Sequence, residues 1–411
     1  MHIPGQRILN ELRSEAAGIW YVPANNGEEI AILIKASTSI LKSIIHGCEM
    51  KFVFGCRNNF LCIGARIYDI PDSPVFTSNV QRHLEEHEAL ARFIGDKSAP
   101  LFLFNELDVC VAWTDASISK GASEEISLIL DDVKEKYTGS FTSQCSKALD
   151  DFCFSIDSTQ NFDSATKIET LEVHVKHGNW TSNQISFAGN FDSQTIVLNE
   201  ADEGSVLEKS VWASLESVFS FGLHHSPTIR IGKKDRELTD VVTSYRYGSF
   251  LFEAKDLAVF TSGPERSRER RLKSIQKQAK KAIGQLVGAS KAAKRGEQIF
   301  NKTGTSLSLI TNKPFHCIVL LTELPHEGDW SEIENQLRSA IFDTGDYFHV
   351  FDLQELVMLL KICRGKAELL DYNLMARCKS FVEKGTVHIR SRPAPVSEAK
   401  TPANKEPKGS E

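Results

Sequence analysis

Residues 236–256, RELTDVVTSYRYGSFLFEAKD, decide how the rest of the chain is interpreted. Their pattern predicts two strands joined by a tight turn, with Asp240 on the first strand and Glu253 and Lys255 on the second. Because side chains alternate along a strand, Glu253 and Lys255 share one face while Phe252 and Ala254 take the other. A carboxylate and an ammonium at the end of an apolar strand are costly unless something binds them. A divalent cation held by Asp240 and Glu253, with Lys255 beside the attacking water, meets that requirement.

The composition is typical of a globular protein without a membrane span. Of the 411 residues, 41% are hydrophobic and 25% are charged, and the net charge is −6. No apolar run approaches the ~20 residues of a transmembrane helix, and the N-terminal residues lack the apolar core of a secretory signal. The nine cysteines include no CxxC pair, which favours reduced thiols over a disulfide framework or a structural zinc site. Together these features predict a cytoplasmic protein.

Residues 1–195 are expected to form a separate α+β domain, because strand and helix patterns alternate there. The predicted strands cover residues 19–23, 29–35, 51–56, 60–70, 100–113, 171–176 and 184–189, and the predicted helices cover 37–46, 78–95 and 123–136. This order is typical of a mixed sheet covered by helices on one or both faces.

One motif in this first domain predicts different chemistry. His83-Leu84-Glu85-Glu86-His87 has the letters HxxEH of inverted zinc proteases, and its histidines would lie four residues apart on a helix. The alternative is the exposed face of an amphipathic helix whose apolar residues turn inward.

Residues 196–390 are expected to form a second domain, and residues 391–411 a disordered tail. The second domain begins with an amphipathic helix at 204–222 and continues with strands at 228–231, 314–323 and 347–352 and with further helices. The tail is rich in Pro, Lys and Ser and has almost no apolar residues, so it cannot form a packed core.

A basic helix follows the acid–base strand. Residues 264–295 contain eleven Lys or Arg and two Glu, with apolar residues at helical spacing. One interpretation is the solvated face of a long surface helix. The other is a wall that binds phosphates without reading sequence, since no aromatic residues interleave the charges. The candidate nucleic-acid contacts are Arg270, Arg271, Lys273, Lys277, Lys280 and Lys281.

The order of these elements resembles the PD-(D/E)XK, or restriction-endonuclease-like, nuclease superfamily. Residues 203–325 are similar to its αβββαβ core with a mixed central sheet, most of all to nuclease-related-domain and Mrr-type nucleases. The resemblance is carried by Glu208 on the first helix, Asp240 in ELTDVV and Glu253 and Lys255 in FLFEAK. Thr239 stands where the proline of the motif's name would be.

The resemblance implies a metal-dependent phosphodiester hydrolase. Asp240, Glu253 and the backbone carbonyl of Ala254 would hold Mg²⁺, for which Mn²⁺ can substitute. Lys255 would orient or deprotonate the water or neutralise developing charge, and Glu208 would add a carboxylate. Such sites often include a glutamine from the next helix. Gln276 and Gln278 are both candidates, and Gln278 is the predicted site residue.

The resemblance also implies partners. The substrate would be DNA, and cleavage of both strands by single sites would favour a homo-oligomer. By analogy of domain order, residues 1–195 would sense a regulatory ligand or protein, as in bacterial anti-phage or restriction-type defence effectors. Two other functions remain open: a catalytically inactive DNA-binding scaffold with the nuclease fold, and a zinc peptidase built on His83 and His87.

Overall fold

The computed structural model describes residues 4–131, 135–157, 165–190, 193–198, 202–232, 234–256 and 267–391. The chain has a mixed α/β fold, with ten helices and several sheets among these residues. The predicted tail, apart from Ser391, lies outside the described residues. None of the described helices has the length and apolar character needed to cross a membrane.

The first half of the chain forms two main sheets. Its helices are α1 Gln6–Ser14, α2 Thr38–Ile45, α3 Leu84–Asp96, α4 Lys120–Asp131 and α5 Ser143–Ile156. Its strands are β1 Gly18–Ala24, β2 Glu29–Lys35, β3 Met50–Arg57, β4 Phe60–Ile67, β5 Val75–Gln81, β6 Ser98–Phe104, β7 Cys110–Ser117, β8 Thr170–His174, β9 Lys176–His177, β10 Thr181–Ser182, β11 Gln184–Ala188 and β12 Ser193–Val197.

The two sheets and α3 share one core. One sheet has the order β1-β2-β6-β7-β10, with β9 also paired to β7, and the other has the order β5-β4-β3-β8. Tyr21 of β1, Phe52 of β3 and Phe93 of α3 meet in this core, with ring centroids 5.3–6.1 Å apart. Apolar residues on the inner faces of both sheets therefore share a core with α2, α3 and α4.

Two element predictions in this half were wrong. Residues 100–113 form two antiparallel strands, β6 and β7, because a turn at residues 105–108 reverses the chain. Asn105 accepts a bond from Leu107 N–H, and Asp108 has a left-handed φ of 60°, so the turn forms without glycine or proline. The helix expected at 78–95 begins only at Leu84, because residues 78–81 belong to β5, which pairs along its whole length with β4.

The second half is built on a five-stranded sheet. Its helices are α6 Glu203–Leu215, α7 Arg268–Lys294, α8 Ser331–Thr344, α9 Leu353–Cys363 and α10 Ala367–Lys384. Its strands are β13 Leu223–His225, β14 Thr228–Ile231, β15 Lys234–Glu237, β16 Val241–Tyr245, β17 Gly248–Lys255, β18 Ile299–Phe300, β19 Ser306–Leu307, β20 His316–Leu321 and β21 Tyr347–Asp352.

The order of the main sheet is β13-β16-β17-β20-β21. The first three strands are antiparallel, and β17, β20 and β21 are parallel. Helices α6, α9 and α10 cover one face, and α7 and α8 cover the other. Strand β17 is central and buried on both faces, as its nearly continuous apolar sequence predicts. A small sheet, β15-β14-β18-β19, and the hairpin β11-β12 complete the described part.

Candidate metal and phosphate site

The hairpin of β16 and β17 brings Asp240 and Glu253 together. Val241 pairs with Phe252, and extending this antiparallel register by one position places Asp240 opposite Glu253. Along β17, Phe252 belongs to the core beneath α6, so alternation turns Glu253 and Lys255 toward the α7 face. The carboxyl end of β17 therefore presents the three side chains that the sequence singled out.

Glu253 is held on both carboxylate oxygens. It is 2% exposed, and Lys255 Nζ donates to its Oε1 at 2.6 Å. The Thr239 hydroxyl lies 3.0 Å from Oε2 and 2.6 Å from the Phe252 carbonyl oxygen. Thr239 thus anchors Glu253 against the strand, a contact that the sequence did not predict because the residue interrupts the family motif.

Asp240 is buried beside a like charge. It is 6% exposed, and its Oδ2 accepts a bond of 2.6 Å from Ala254 N–H. Burial, and next the Glu253 carboxylate, raise the pKa of Asp240 to about 8, although Lys255 and the Ala254 N–H act in the opposite direction. When both buried carboxylates are ionised, the single Lys255 ammonium does not balance them, so the residues present fit a divalent cation. The Ala254 carbonyl stays a predicted ligand.

Glu208 approaches from α6 and has a different partner. Its Oε2 lies 3.3 Å from His225 Nε2 at the end of β13. Its charge contributes to the raised pKa of Asp240, but less than that of Glu253. Among the described residues, Glu208, Asp240 and Glu253 do not converge closely enough to form a three-carboxylate cluster.

The described residues contain one group of three potential metal ligands, formed by the carboxylates of Glu11 and Glu86 and the imidazole of His83. Arg7 donates to Glu11 at 2.9 Å and to Glu86 at 3.0 Å, and Arg82 donates to Glu11 at 2.8 Å. Because two guanidinium groups already neutralise the carboxylates, the cluster is explained as an ion-pair network that joins α1 to α3.

The HxxEH histidines do not share a helix face. His83 precedes α3 and has an extended backbone, so the expectation that both residues lie on one helix was wrong. His83 Nε2 lies 3.1 Å from Glu11 Oε1, whereas His87 Nε2 lies 3.1 Å from the Tyr137 carbonyl oxygen. Burial lowers the pKa of His87. The two imidazoles therefore have separate partners.

The basic residues of α7 divide into two groups. Arg271 is 12% exposed and is bound within the protein, to Glu323 and, at 2.7 Å, to Asp69. Lys273 pairs with Glu269 and Lys280 with Glu332 at the surface. The exposed basic side chains of α7 without a described ion pair are those of Arg270, Lys277, Lys281 and Lys291.

The two glutamines of α7 also differ. Gln276 Nε2 donates to the Asp329 carbonyl at 2.7 Å, so its amide is occupied. Gln278 is half-buried beside the apolar stripe of Ile275, Ala279 and Ala282 that faces the sheet. No hydrogen bond among the described residues joins it to Asp240, Glu253 or Lys255, and its role stays a prediction.

The first half of the chain contacts the sheet beside this site. Lys42 of α2 pairs with Asp256, the residue after Lys255. Within the second half, the hydroxyl oxygen of Thr322, which follows β20, lies 3.4 Å from the Lys255 carbonyl oxygen. A cavity of about 420 Å³ opens next to Thr322, between residues of both halves, including Asp69 and Arg271. Residues far apart in sequence therefore surround the carboxyl ends of β17 and β20, where open α/β sheets commonly bind ligands.

No protein-family model matches the chain, and neither a curated protein nor a solved structure matches it. The site geometry is therefore the basis on which a function can be assigned.

Proposed function

We propose that the protein is a Mg²⁺-dependent nuclease that hydrolyses phosphodiester bonds of DNA. The observation that carries the proposal is the meeting of Asp240, Glu253 and Lys255 at the carboxyl end of β17. Two buried carboxylates and an adjacent ammonium supply a cation site with a proton-handling or charge-stabilising group beside it.

The proposal includes a restriction-endonuclease-like core. Helix α6, the antiparallel strands β13, β16 and β17, helix α7 and the parallel strand β20 support the order of such a core, although the strands of the small sheet are inserted between them and the predicted strand at 228–231 belongs to that small sheet. Residues 1–195 would then form the regulatory or sensing domain of a bacterial defence effector. The packing of α2 against Asp256 supports a direct link between such a domain and the site.

Each side chain has a distinct part. Asp240 and Glu253, with the Ala254 carbonyl, would hold Mg²⁺, which when bound supplies Lewis-acid stabilisation of the phosphate. Lys255 holds Glu253 in place and presents its ammonium to the water or to the charge that develops on phosphorus. Thr239 keeps the Glu253 carboxylate oriented through the second oxygen.

The substrate class is supported by the surface of α7. Arg270, Lys277 and Lys281 are exposed, and none of the ion pairs among the described residues includes them. These cations supply phosphate contacts, and the absence of aromatic neighbours leaves no platform for base stacking. DNA contacted through its backbone is therefore the proposed substrate.

The test is incubation of the purified protein with plasmid and linear DNA, with and without Mg²⁺ or Mn²⁺. We expect metal-dependent cleavage that Lys255→Ala and Asp240→Asn each reduce by at least about 100-fold, while Lys313→Ala, an exposed lysine at a distance in sequence, leaves it unchanged. Equal cleavage by all four proteins would refute the site. DNA binding without turnover would instead support the inactive scaffold.

A further inference from the structure

Strand β15 separates its charges by face. Its four residues, Lys234-Asp235-Arg236-Glu237, are all exposed, and bases alternate with acids along it. Because successive side chains of a strand point to opposite sides, Lys234 and Arg236 lie on one face and the two acids lie on the other. The strand therefore has a basic face and an acidic face.

The third cation of the hairpin of β14 and β15 is bound on the acidic face. Arg230 of β14 lies opposite Asp235, and its guanidinium donates to both carboxylate oxygens, at 2.7 and 2.9 Å. The same guanidinium lies over the ring of Phe300, 5.0 Å from its centroid. In the part of the chain that the structure describes, no ion pair includes Lys234 or Arg236. The basic face therefore keeps its two charges available.

The basic face lies on the α7 side of the main sheet. Arg236 is directly opposite Ile229 of β14, and residues directly opposite in an antiparallel pair share a face. Ile229 is buried in the core that α7 covers, and so is Leu238, two residues after Arg236. Glu253 and Lys255 turn toward this same side of the main sheet. The free cations of the hairpin and the candidate cation site are therefore on one side of the protein.

The hairpin leads directly into the cation site, because Asp240 follows β15 after two residues. Leu238 N–H donates to the Pro227 carbonyl oxygen at 2.8 Å, which fastens the base of the hairpin. Arg236 and Lys234 precede Asp240 by four and six residues, so their Cα atoms lie at most about 14 Å and about 22 Å from it. At about 3.4 Å of helix axis per base pair of DNA, these distances correspond to about four to six base pairs.

We propose that the β14–β15 hairpin is an arm that binds duplex DNA, with Lys234 and Arg236 contacting backbone phosphates about four to six base pairs from the bond at the cation site. The inference rests on the proposed function, since it takes Asp240 to mark the position of the reacting phosphate. The charges select the partner and its path. Two free cations attract a polyanion, and the acidic face of the same strand repels it, so the duplex is directed along the α7 side.

The experiment is fluorescence anisotropy of the full-length protein with a labelled DNA duplex, in EDTA and across a salt series. Each phosphate contact contributes about 0.9 to the log–log slope of affinity against salt concentration. We therefore expect Arg236→Gln to reduce the magnitude of the slope by about one unit, and the double variant Lys234→Gln/Arg236→Gln by about two. With Mg²⁺ and saturating DNA, the double variant should cleave at the rate of the parent, because the arm acts in binding.

Two controls are matched to these variants. Lys313→Gln removes the same charge from another exposed lysine, and Arg230→Gln/Asp235→Asn removes the neutral pair from the acidic face of the same hairpin. Both should keep the slope of the parent. All of these side chains are exposed, so the melting temperature followed by circular dichroism should stay that of the parent.

The outcomes separate the arm from the proposed function. If Lys234→Gln/Arg236→Gln keeps the slope of the parent while Arg270→Gln reduces it, the arm is overturned and the proposed function stands. An equal reduction in the Lys313→Gln control also overturns the arm, because net charge alone would then explain the effect. A parent that neither binds nor cleaves DNA overturns the proposed function, and the arm with it.

Discussion

Lys42 Nζ lies 2.9 Å from Asp256 Oδ2, and neither side chain is more than 4% exposed. The pair joins α2, in the first half of the chain, to the residue that follows Lys255 at the end of β17. A buried charge left without its partner costs far more than a surface ion pair contributes. The structure around the candidate site therefore depends on contacts with the first half.

Lys42→Met should destabilise the protein by about 3–5 kcal/mol, because it leaves Asp256 buried without its ammonium. Urea unfolding followed by circular dichroism measures the effect. The matched control is Lys120→Met, which removes an exposed lysine paired with Glu124 and should change stability by less than about 1 kcal/mol. A loss for Lys42→Met as small as that of the control would contradict the expectation.

Asp240→Asn should make the melting temperature less sensitive to pH in the range between the unfolded-state and folded-state pKa values of Asp240. The folded state raises the pKa of Asp240 from 3.8 to about 8, so between these values it retains a proton that the unfolded state has lost. Stability due to this group therefore falls as pH rises through that window. Asparagine cannot ionise but still accepts from Ala254 N–H. We expect the melting temperature of the variant to gain about 5 °C on the parent between pH 5 and pH 9.

Two comparisons check that result. Mg²⁺ should reduce the difference in melting temperature between the variant and the parent at pH 9, since a bound cation stabilises the ionised pair of the parent. Asp235→Asn, at an exposed ion pair in which Arg230 lowers the pKa of the aspartate, should not reproduce the alkaline gain. A constant difference between the variant and the parent at all pH values would show that Asp240 does not titrate in this range.

Arg270 and Arg271 are adjacent but should respond differently to substitution. Arg271→Gln leaves Asp69 and Glu323 without their guanidinium, so a stability loss of about 3 kcal/mol or more is expected. Arg270→Gln should leave stability unchanged and reduce the magnitude of the salt dependence of DNA binding by about one unit of log–log slope. Fluorescence anisotropy across a salt series and urea unfolding separate the two. If Arg271→Gln reduced the salt dependence of DNA binding and Arg270→Gln reduced stability, the phosphate contact would instead lie at Arg271.

The purified protein should contain well under one zinc per chain. His83 and His87 bind different partners, and the Glu11–Glu86 cluster is already neutralised by Arg7 and Arg82. Elemental analysis after dialysis without chelator measures zinc, with a structural-zinc protein carried through the same steps as a control. Stoichiometric zinc that is lost in His83→Ala and His87→Ala would revive the peptidase hypothesis.

Much of the second half could be predicted because its signals are local. The alternation along FLFEAK places Glu253 and Lys255 on one side of β17 wherever that strand packs, and the apolar run predicts burial on both faces. The amphipathic patterns likewise predicted α6, α7 and α8, although α6 ends at Leu215, earlier than expected. The first half was harder, since the turn at residues 105–108 has no glycine or proline to mark it.

The periodicity of apolar residues was sufficient to indicate an α/β chain. The two-residue alternation of side chains along a strand was sufficient to put the Glu253 carboxylate and the Lys255 ammonium side by side. Tertiary packing decided which charges face each other. Arg271 meets Asp69 across 202 positions of sequence, and Lys302 meets His225 across 77. Such pairings depend on how sheets and helices stack, since each charge has many equivalent partners in sequence and only the folded core brings a particular one within hydrogen-bonding distance.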